Sequence, residues 1–153
     1  MQINIFELEA KIGMKHVLEK EGVYKGYTYY VVFHPRAYRC GYVLLPDEIA
    51  KDVQLDDWER FEHIECHIAI NFVNFDYIKN TGKLMIGFSC DHICDAYDYE
   101  TAKKYDLSVY KRQSIIEKKF FSDPPRELRT MEYVENWCIK IIDQLEEVNK
   151  TSN

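Results

Sequence analysis

The sequence predicts an α+β domain, an antiparallel β-sheet of about five strands with a long C-terminal helix packed on it. Three observations lead there. β-Branched and aromatic residues gather in short runs between positions 23 and 89, separated by Gly, Pro and Asn signals. The last segment instead spaces its apolar residues alternately by three and four. With 153 residues, 46% of them hydrophobic, the chain is long enough to bury one core without disulfides.

In chain order, residues 3–20 set Ile5, Leu8, Ile12, Val17 and Leu18 among Glu and Lys, a modest helical pattern that Gly13 weakens. It predicts an N-terminal helical extension over 1–21, ahead of a single domain over 22–153. Val23-Tyr24, Lys25-Gly26 and Tyr27 to Phe33 read as a β-hairpin, with Gly26 supplying the turn. His34-Pro35-Arg36 ends the second strand, because Pro35 has no N–H for a central ladder. Tyr38 to Leu45 is a third strand. Residues 47–60 are acidic, with Asp47, Glu48, Asp52, Asp56, Asp57 and Glu59, and predict a short helix plus a surface loop.

A fourth strand is expected near 61–72, where Ile64, Cys66, Ile68, Ile70 and Phe72 alternate with Glu65, His67, Ala69 and Asn71. That period puts His67 and Asn71 on the face away from the core. Asn80-Thr81-Gly82 marks a turn, Lys83 to Ser89 a fifth strand, and 99–106 a helix, with a stop at Pro124-Pro125. Asp123 as cap, Pro124 at the first helical position and Glu127 in the first turn start the last helix. Met131, Val134, Cys138, Ile141, Leu145 and Val148 form its stripe, widened by Trp137 and Ile142. The stripe packs across a sheet or, being heptad-like, forms a seam between two subunits.

Charge narrows the function classes. Twenty basic and 26 acidic residues give a net charge of −6, which argues against direct nucleic-acid binding and leaves room for a small anionic ligand. Met1 to Gly13 carries Glu7 and Glu9 and lacks a basic region followed by an apolar run, so no signal peptide is expected. No stretch reaches the ~18 apolar residues of a spanning helix. Five cysteines, an odd number, then read as reduced thiols, and the expected location is cytoplasmic with no membrane partner.

Three constellations carry chemistry. Cys90, His92 and Cys94 alternate, and Cys66-His67 and Cys40 lie on neighbouring expected strands. These are zinc-type ligands, but the paired CxxC spacing is absent, so no metal or other cofactor is expected. Gly87 to Asp95 follows a strand and gathers Ser89, Cys90, Asp91, His92 and Asp95 at its end. Asp95 orienting His92 as a base is one reading, with Cys90 or Ser89 as nucleophile; a turn with side-chain caps is the other. Tyr29, Phe33, His34, Arg36, Tyr38, Arg39 and Tyr42 combine rings and guanidinium groups, which suit a base and its phosphates; strand tyrosines that merely pack are the alternative. No phosphate-binding or dinucleotide-binding glycine motif is present.

Cys40-Gly41-Tyr42-Val43, Cys66-His67-Ile68-Ala69-Ile70-Asn71, Gly87-Phe88-Ser89-Cys90-Asp91-His92 to Asp95, and Arg129 to Val134 leading to Gln144-Leu145 follow one another in a familiar order. Over roughly residues 22–148 the chain resembles a widespread family of small phage- and prophage-encoded proteins. That family's pattern runs CGYV, VHGG[IL]T, W-x-GFDCAH-x-GD, then a helix with YV…QL. The departures are specific: the paired glycines are Ile68 and Ala69 here, the threonine is Asn71, the first Asp of the third motif is Ser89, and the Gly before the last Asp is Cys94.

The resemblance implies a viral accessory protein acting in the cytoplasm of an infected or lysogenic bacterium. The expected function is counter-defence, by binding and sequestering a nucleotide-derived immune signal. The expected site is Arg36 and Arg39 for phosphate, Tyr38 and Tyr42 for stacking, and His67, Asn71, His92 and Asp95 for polar contacts. Two alternatives stand beside it. One is hydrolysis of such a signal by His92 and Asp95. The other is a host defence protein bound by the acidic segment Asp47 to Glu62, as in anti-CRISPR inhibitors. A homodimer through the C-terminal helix is the oligomer the stripe suggests.

Overall fold

A computed structural model describes residues 15–108 and 126–151. The sheet contains five antiparallel strands in the order β1-β2-β3-β5-β4: β1 (Val17–Tyr24), β2 (Tyr27–His34), β3 (Tyr38–Leu44), β4 (Phe72–Phe75) and β5 (Leu84–Ser89). Short helices α1 (Asp47–Ala50) and α2 (Tyr99–Lys104) lie in the connections, with a 3-10 turn at Trp58–Phe61. A parallel pair, β6 (Asp95–Ala96) and β7 (Glu127–Leu128), precedes the long helix α3 (Met131–Thr151). The α+β class with a five-stranded antiparallel sheet and a C-terminal helix is therefore what the chain forms. Among the described residues no helix is long and apolar enough to cross a membrane.

The hairpin follows from its turn. Lys25 and Gly26 have φ of 49° and 83°, the pair of positive angles whose twist matches the flanking strands. β1 is longer than Val23-Tyr24 alone. Residues 17–20 are strand, so the helical pattern read over 3–20 does not extend through them; 1–14 lie outside the described residues. The physical reason is a register shift between Leu18 and Lys20, which turns Leu18 outward while Glu19 meets a buried arginine.

α3 packs on β1, β2 and β3. Val134, Cys138, Ile141 and Leu145 meet Tyr29, Val31, Val43, Ile86 and Phe88 in one core layer. Each such side chain contributes roughly 1.5–3 kcal/mol on burial. The helix approaches closely because Gly41 has no side chain, and a Cβ there would lie 2.5 Å from the Phe88 ring and 2.9 Å from Cys138 Sγ. The stripe thus faces the chain's own sheet, so these residues are not presented to a second helix. α3 also starts later than Asp123-Pro124 suggests. Glu127–Leu128 pairs as strand, and Thr130 caps the helix, its hydroxyl accepting from the Tyr133 amide at 3.2 Å. Residues 109–125, including Pro124-Pro125, lie outside the described residues.

The fourth strand is corrected most. Phe72–Phe75 is strand, but 61–71 is irregular and buries Phe61, Ile64, His67 and Ile70, one residue in three rather than one in two. Ile68, read as core, is 61% exposed, and His67, read as outward, is buried. The extended path is broken at Ile68, whose φ is 65° and across which the Ala69 amide bonds the His67 carbonyl at 2.9 Å. The opposite sheet face carries Tyr30, Val32, Cys40, Tyr42, Leu44 and Met85, covered by Tyr38, Phe72, Tyr77 and Ile78.

Candidate functional site

The eight residues expected to form one site fall into three places. Tyr38, Tyr42 and Asn71 line a cleft on the face opposite α3, together with His16, His34, Phe72, Tyr77 and Ser89; its volume is about 260 Å³. His67, His92 and Asp95 meet at the exit of β5, beneath the start of α3. Arg36 is exposed in the β2–β3 turn beside the cleft, and Arg39 belongs to neither place.

The cleft is built by three devices. The β2–β3 turn, closed by the Ala37 amide on the His34 carbonyl at 2.9 Å, sets His34 and Tyr38 face to face at 4.3 Å and 10°. Asp76, 2% exposed, organises the β4–β5 connection. One of its oxygens accepts from the Ile78 and Lys79 amides at 2.9 and 3.0 Å. The other accepts from Thr81 and Tyr30 hydroxyls at 2.8 and 2.9 Å. These bonds outweigh its burial and hold its carboxyl below the usual range. That loop brings the Tyr77 hydroxyl 2.6 Å from that of Tyr42, with Phe72 edge-on to Tyr42 at 5.1 Å.

The polar side of the cleft is short-chained: Asn71 Nδ2 donates to Ser89 Oγ at 2.7 Å, and Ser89 Oγ donates to Asp91 at 2.7 Å. Arg36 is exposed, and its charge acts on both the His34 ring and the Tyr38 hydroxyl. Burial, with His16 and Arg36 adding to it, pushes His34 down to about 3. The geometry agrees, because His34 Nδ1 accepts the Arg36 amide at 3.1 Å and so carries no proton.

The second place is ionic and closed. Pairing of β6 with β7, sealed by the Glu127 amide on the Cys94 carbonyl at 3.0 Å, brings Arg129 to Asp95. Arg129 Nε donates to Asp95 Oδ1 at 2.8 Å and Nη1 to Glu127 at 2.8 Å. His67 spans the gap to α3, with Nε2 2.9 Å from the Asp95 carboxylate and Nδ1 2.8 Å from the Tyr133 hydroxyl. The His92 amide donates to Asp95 Oδ2 at 3.0 Å, and its ring Nδ1 lies 3.3 Å away. Burial alone would raise the Asp95 carboxyl, but Arg129, His67 and the His92 amide hold it down at about 2. Asp95 is therefore an anion that accepts only, so the proton between it and His67 sits on Nε2. Cys94 is exposed beside it, and an imidazole, a thiol and a carboxylate from His67, Cys94 and Asp95 lie within 4.8 Å of one another.

Arg39 corrects the expected phosphate contact. It is 7% exposed, and its fork is occupied: Nε and Nη2 donate to Glu19 at 2.6 and 3.2 Å, Nη1 to Asp98 at 2.9 Å and to the Arg129 carbonyl at 3.1 Å. Asp98 in turn caps α2 by accepting from the Thr101 amide at 3.0 Å. The nucleophile reading weakens too. Burial raises the thiols of Cys40 and Cys66 to about 12 and those of Cys90 and Cys138 higher still, which keeps them protonated.

Tyr77, Arg129 and Tyr133 were not singled out by sequence as site residues. Tyr77 is placed by a loop hub, Arg129 by a two-residue strand, and Tyr133 by the helix start, none of which periodicity encodes. A larger cavity of about 360 Å³ between α1 and the end of α3 is walled by Glu48, Asp52, Lys51 and Arg60, the mixed charges of a solvated seam. No protein-family model, curated protein or solved structure matches the chain.

Proposed function

We propose that this chain binds a nucleotide-derived signalling molecule in the aromatic cleft and withholds it from its receptor, in the setting of phage counter-defence that the motif resemblance implies. One observation carries the reading: His34, Tyr38, Tyr42, Phe72 and Tyr77 enclose about 260 Å³ beside the Asn71–Ser89 amide and hydroxyl. Rings of this kind bind a planar base through stacking, and short polar groups read its edge. The volume suits the base, with sugar and phosphates outside. Arg36 receives the anionic end, because Asp91 lies on the Ser89 side and repels it.

A second reading rests on Asp95 and His92. A carboxylate held ionised beside Nδ1 orients the ring, leaving Nε2 to activate a water at a phosphoester or glycosidic bond. The His92 side chain is 30% exposed, consistent with that access.

The test is to mix the purified protein with a panel of cyclic dinucleotides and ADP-ribose derivatives and remove unbound material. The protein is then heat-denatured, and what it releases is identified by chromatography and mass spectrometry. Intact nucleotide near one equivalent, lost in Tyr38→Ala and weakened in Arg36→Ala, is the expected result. A converted product that disappears in His92→Ala would transfer the case to hydrolysis. Nothing retained and nothing converted would sink both, and would turn attention to a protein target of the acidic segment, tested by charge reversal at Asp56 and Asp57.

A further inference from the structure

We propose that His67, Cys94 and Asp95 form a site for a thiophilic divalent transition-metal ion of the zinc class, separate from the aromatic cleft. The three ligand atoms, His67 Nε2, Cys94 Sγ and an Asp95 carboxylate oxygen, already lie within 4.8 Å of one another. Imidazole, thiolate and carboxylate are the donors zinc takes, at about 2.0–2.3 Å each. Calcium and magnesium, which want oxygen shells, are excluded by the same set.

The supports around these ligands match what a metal site needs. Metal-binding histidines have their second nitrogen fixed by a hydrogen bond, and His67 Nδ1 is held by Tyr133 at 2.8 Å. The carboxylate is oriented by Arg129 Nε on Oδ1 at 2.8 Å and by the His92 amide on Oδ2 at 3.0 Å, and it faces His67 Nε2 at 2.9 Å. Each ligand sits on backbone that is itself bonded: Asp95 N to the His92 carbonyl at 2.9 Å, and the Cys94 carbonyl to Glu127 N at 3.0 Å. Access is one-sided. His67 and Asp95 are buried while Cys94 is exposed, so the ion enters past the thiol.

Loading the site needs one rearrangement, and protons and charge both balance. The 2.9 Å bond between His67 Nε2 and Asp95 opens as the ion takes its place, since donors around zinc stand about 3.3–3.7 Å apart. The His67 ring moves its proton from Nε2 to Nδ1, where the Tyr133 oxygen accepts it. Cys94 releases its proton to water. The thiolate and Asp95 carboxylate then offset the two positive charges of the ion, and Arg129 keeps its pairing with Glu127 at 2.8 Å. Three protein ligands leave a fourth position open to water or to a ligand atom, with the His92 ring beside it.

The experiment titrates the full chain, reduced and stripped with a chelator, with zinc against a chromophoric competitor and separately with cobalt(II). One equivalent of zinc, together with a near-ultraviolet sulfur-to-cobalt charge-transfer band, is expected. Cys94→Ser, at an exposed position that leaves the fold intact, should abolish the band and weaken zinc by at least about 100-fold, and Tyr133→Phe by about 10-fold. Cys66→Ser should leave both unchanged. Zinc should also raise the thermal midpoint of the parent but not of Cys94→Ser. No thiolate band, or zinc binding indifferent to Cys94→Ser, would overturn the site. Retention of nucleotide by the cleft is read separately, so either proposal can fail alone.

Discussion

The two faces of one sheet are finished by different chemistry. On the α3 face, apolar side chains fill the layer from Tyr29 and Val31 through Phe88 to Cys138 and Ile141, and the ends are locked by ions. On the other face no helix lies among the described residues; rings and one short loop close the layer and leave a cleft. Arg36 and Arg39 condense the contrast into one turn of chain. Arg39 donates to two carboxylates and a carbonyl and holds β1, α2 and the approach to α3 together, whereas Arg36 is exposed beside the rings. A buried guanidinium with every fork occupied is a structural part. An exposed one beside stacked aromatics is free to recognise an anion.

The sharpest way to break that contrast is Arg39→Met. It leaves Glu19 and Asp98 buried without their cation and should cost about 3–5 kcal/mol. Urea unfolding would measure it, while Arg36→Met should stay within about 0.5 kcal/mol. Equal losses from the two would mean that the faces are not differently built.

The next effect is one of pH. His34 is held neutral in the fold, at about 3, whereas unfolded it takes a proton near 6.5. As pH falls through 6.5 the unfolded chain binds the proton first, so stability declines toward acid and is regained above 6.5. For one proton the slope is at most about 1.4 kcal/mol per pH unit. Unfolding between pH 7 and 5, above the carboxylate range, should show this slope, and His34→Phe should flatten it.

A smaller effect tests the floor of the cleft. Tyr42→Phe and Tyr77→Phe each remove one side of the 2.6 Å hydroxyl pair and should each cost about 0.5–1.5 kcal/mol. The double variant should cost less than the sum of the singles, because it strands neither hydroxyl. Strict additivity would show that the two hydroxyls do not act as a pair.

Sequence reading succeeded where the backbone itself imposes a period. Lys25-Gly26 can only turn a hairpin, and the three-four stripe of α3 can only bury one side, so both were legible. It failed where polar groups go inside. The alternation read over 61–72 puts His67 outward, yet it is buried by partners far along the chain, Asp95 and Tyr133, and the Glu19 side chain is likewise buried against Arg39. Hydrophobic alternation carries no information about such pairing, which is also why the eight expected site residues divided among three places. His92 and Asp95, three residues apart, are adjacent because a single turn joins them.

Ile68 sets the two faces against each other at the scale of one residue, and it carries the smallest prediction. It occupies the centre of a three-residue turn at φ 65°, closed by the Ala69 amide on the His67 carbonyl at 2.9 Å. A β-branched side chain there costs about 1–2 kcal/mol, and packing gives little back because 61% of it is exposed. The turn persists because His67 is anchored on both nitrogens, so the ionic end imposes the backbone angle on Ile68. Glycine adopts that angle freely but gives up about 0.5–1 kcal/mol of chain entropy. Ile68→Gly should therefore raise stability slightly, by about 0.5–1 kcal/mol, without altering nucleotide retention by the cleft. A loss of stability in Ile68→Gly would mean that the isoleucine side chain packs usefully and that the turn is not held by His67 alone.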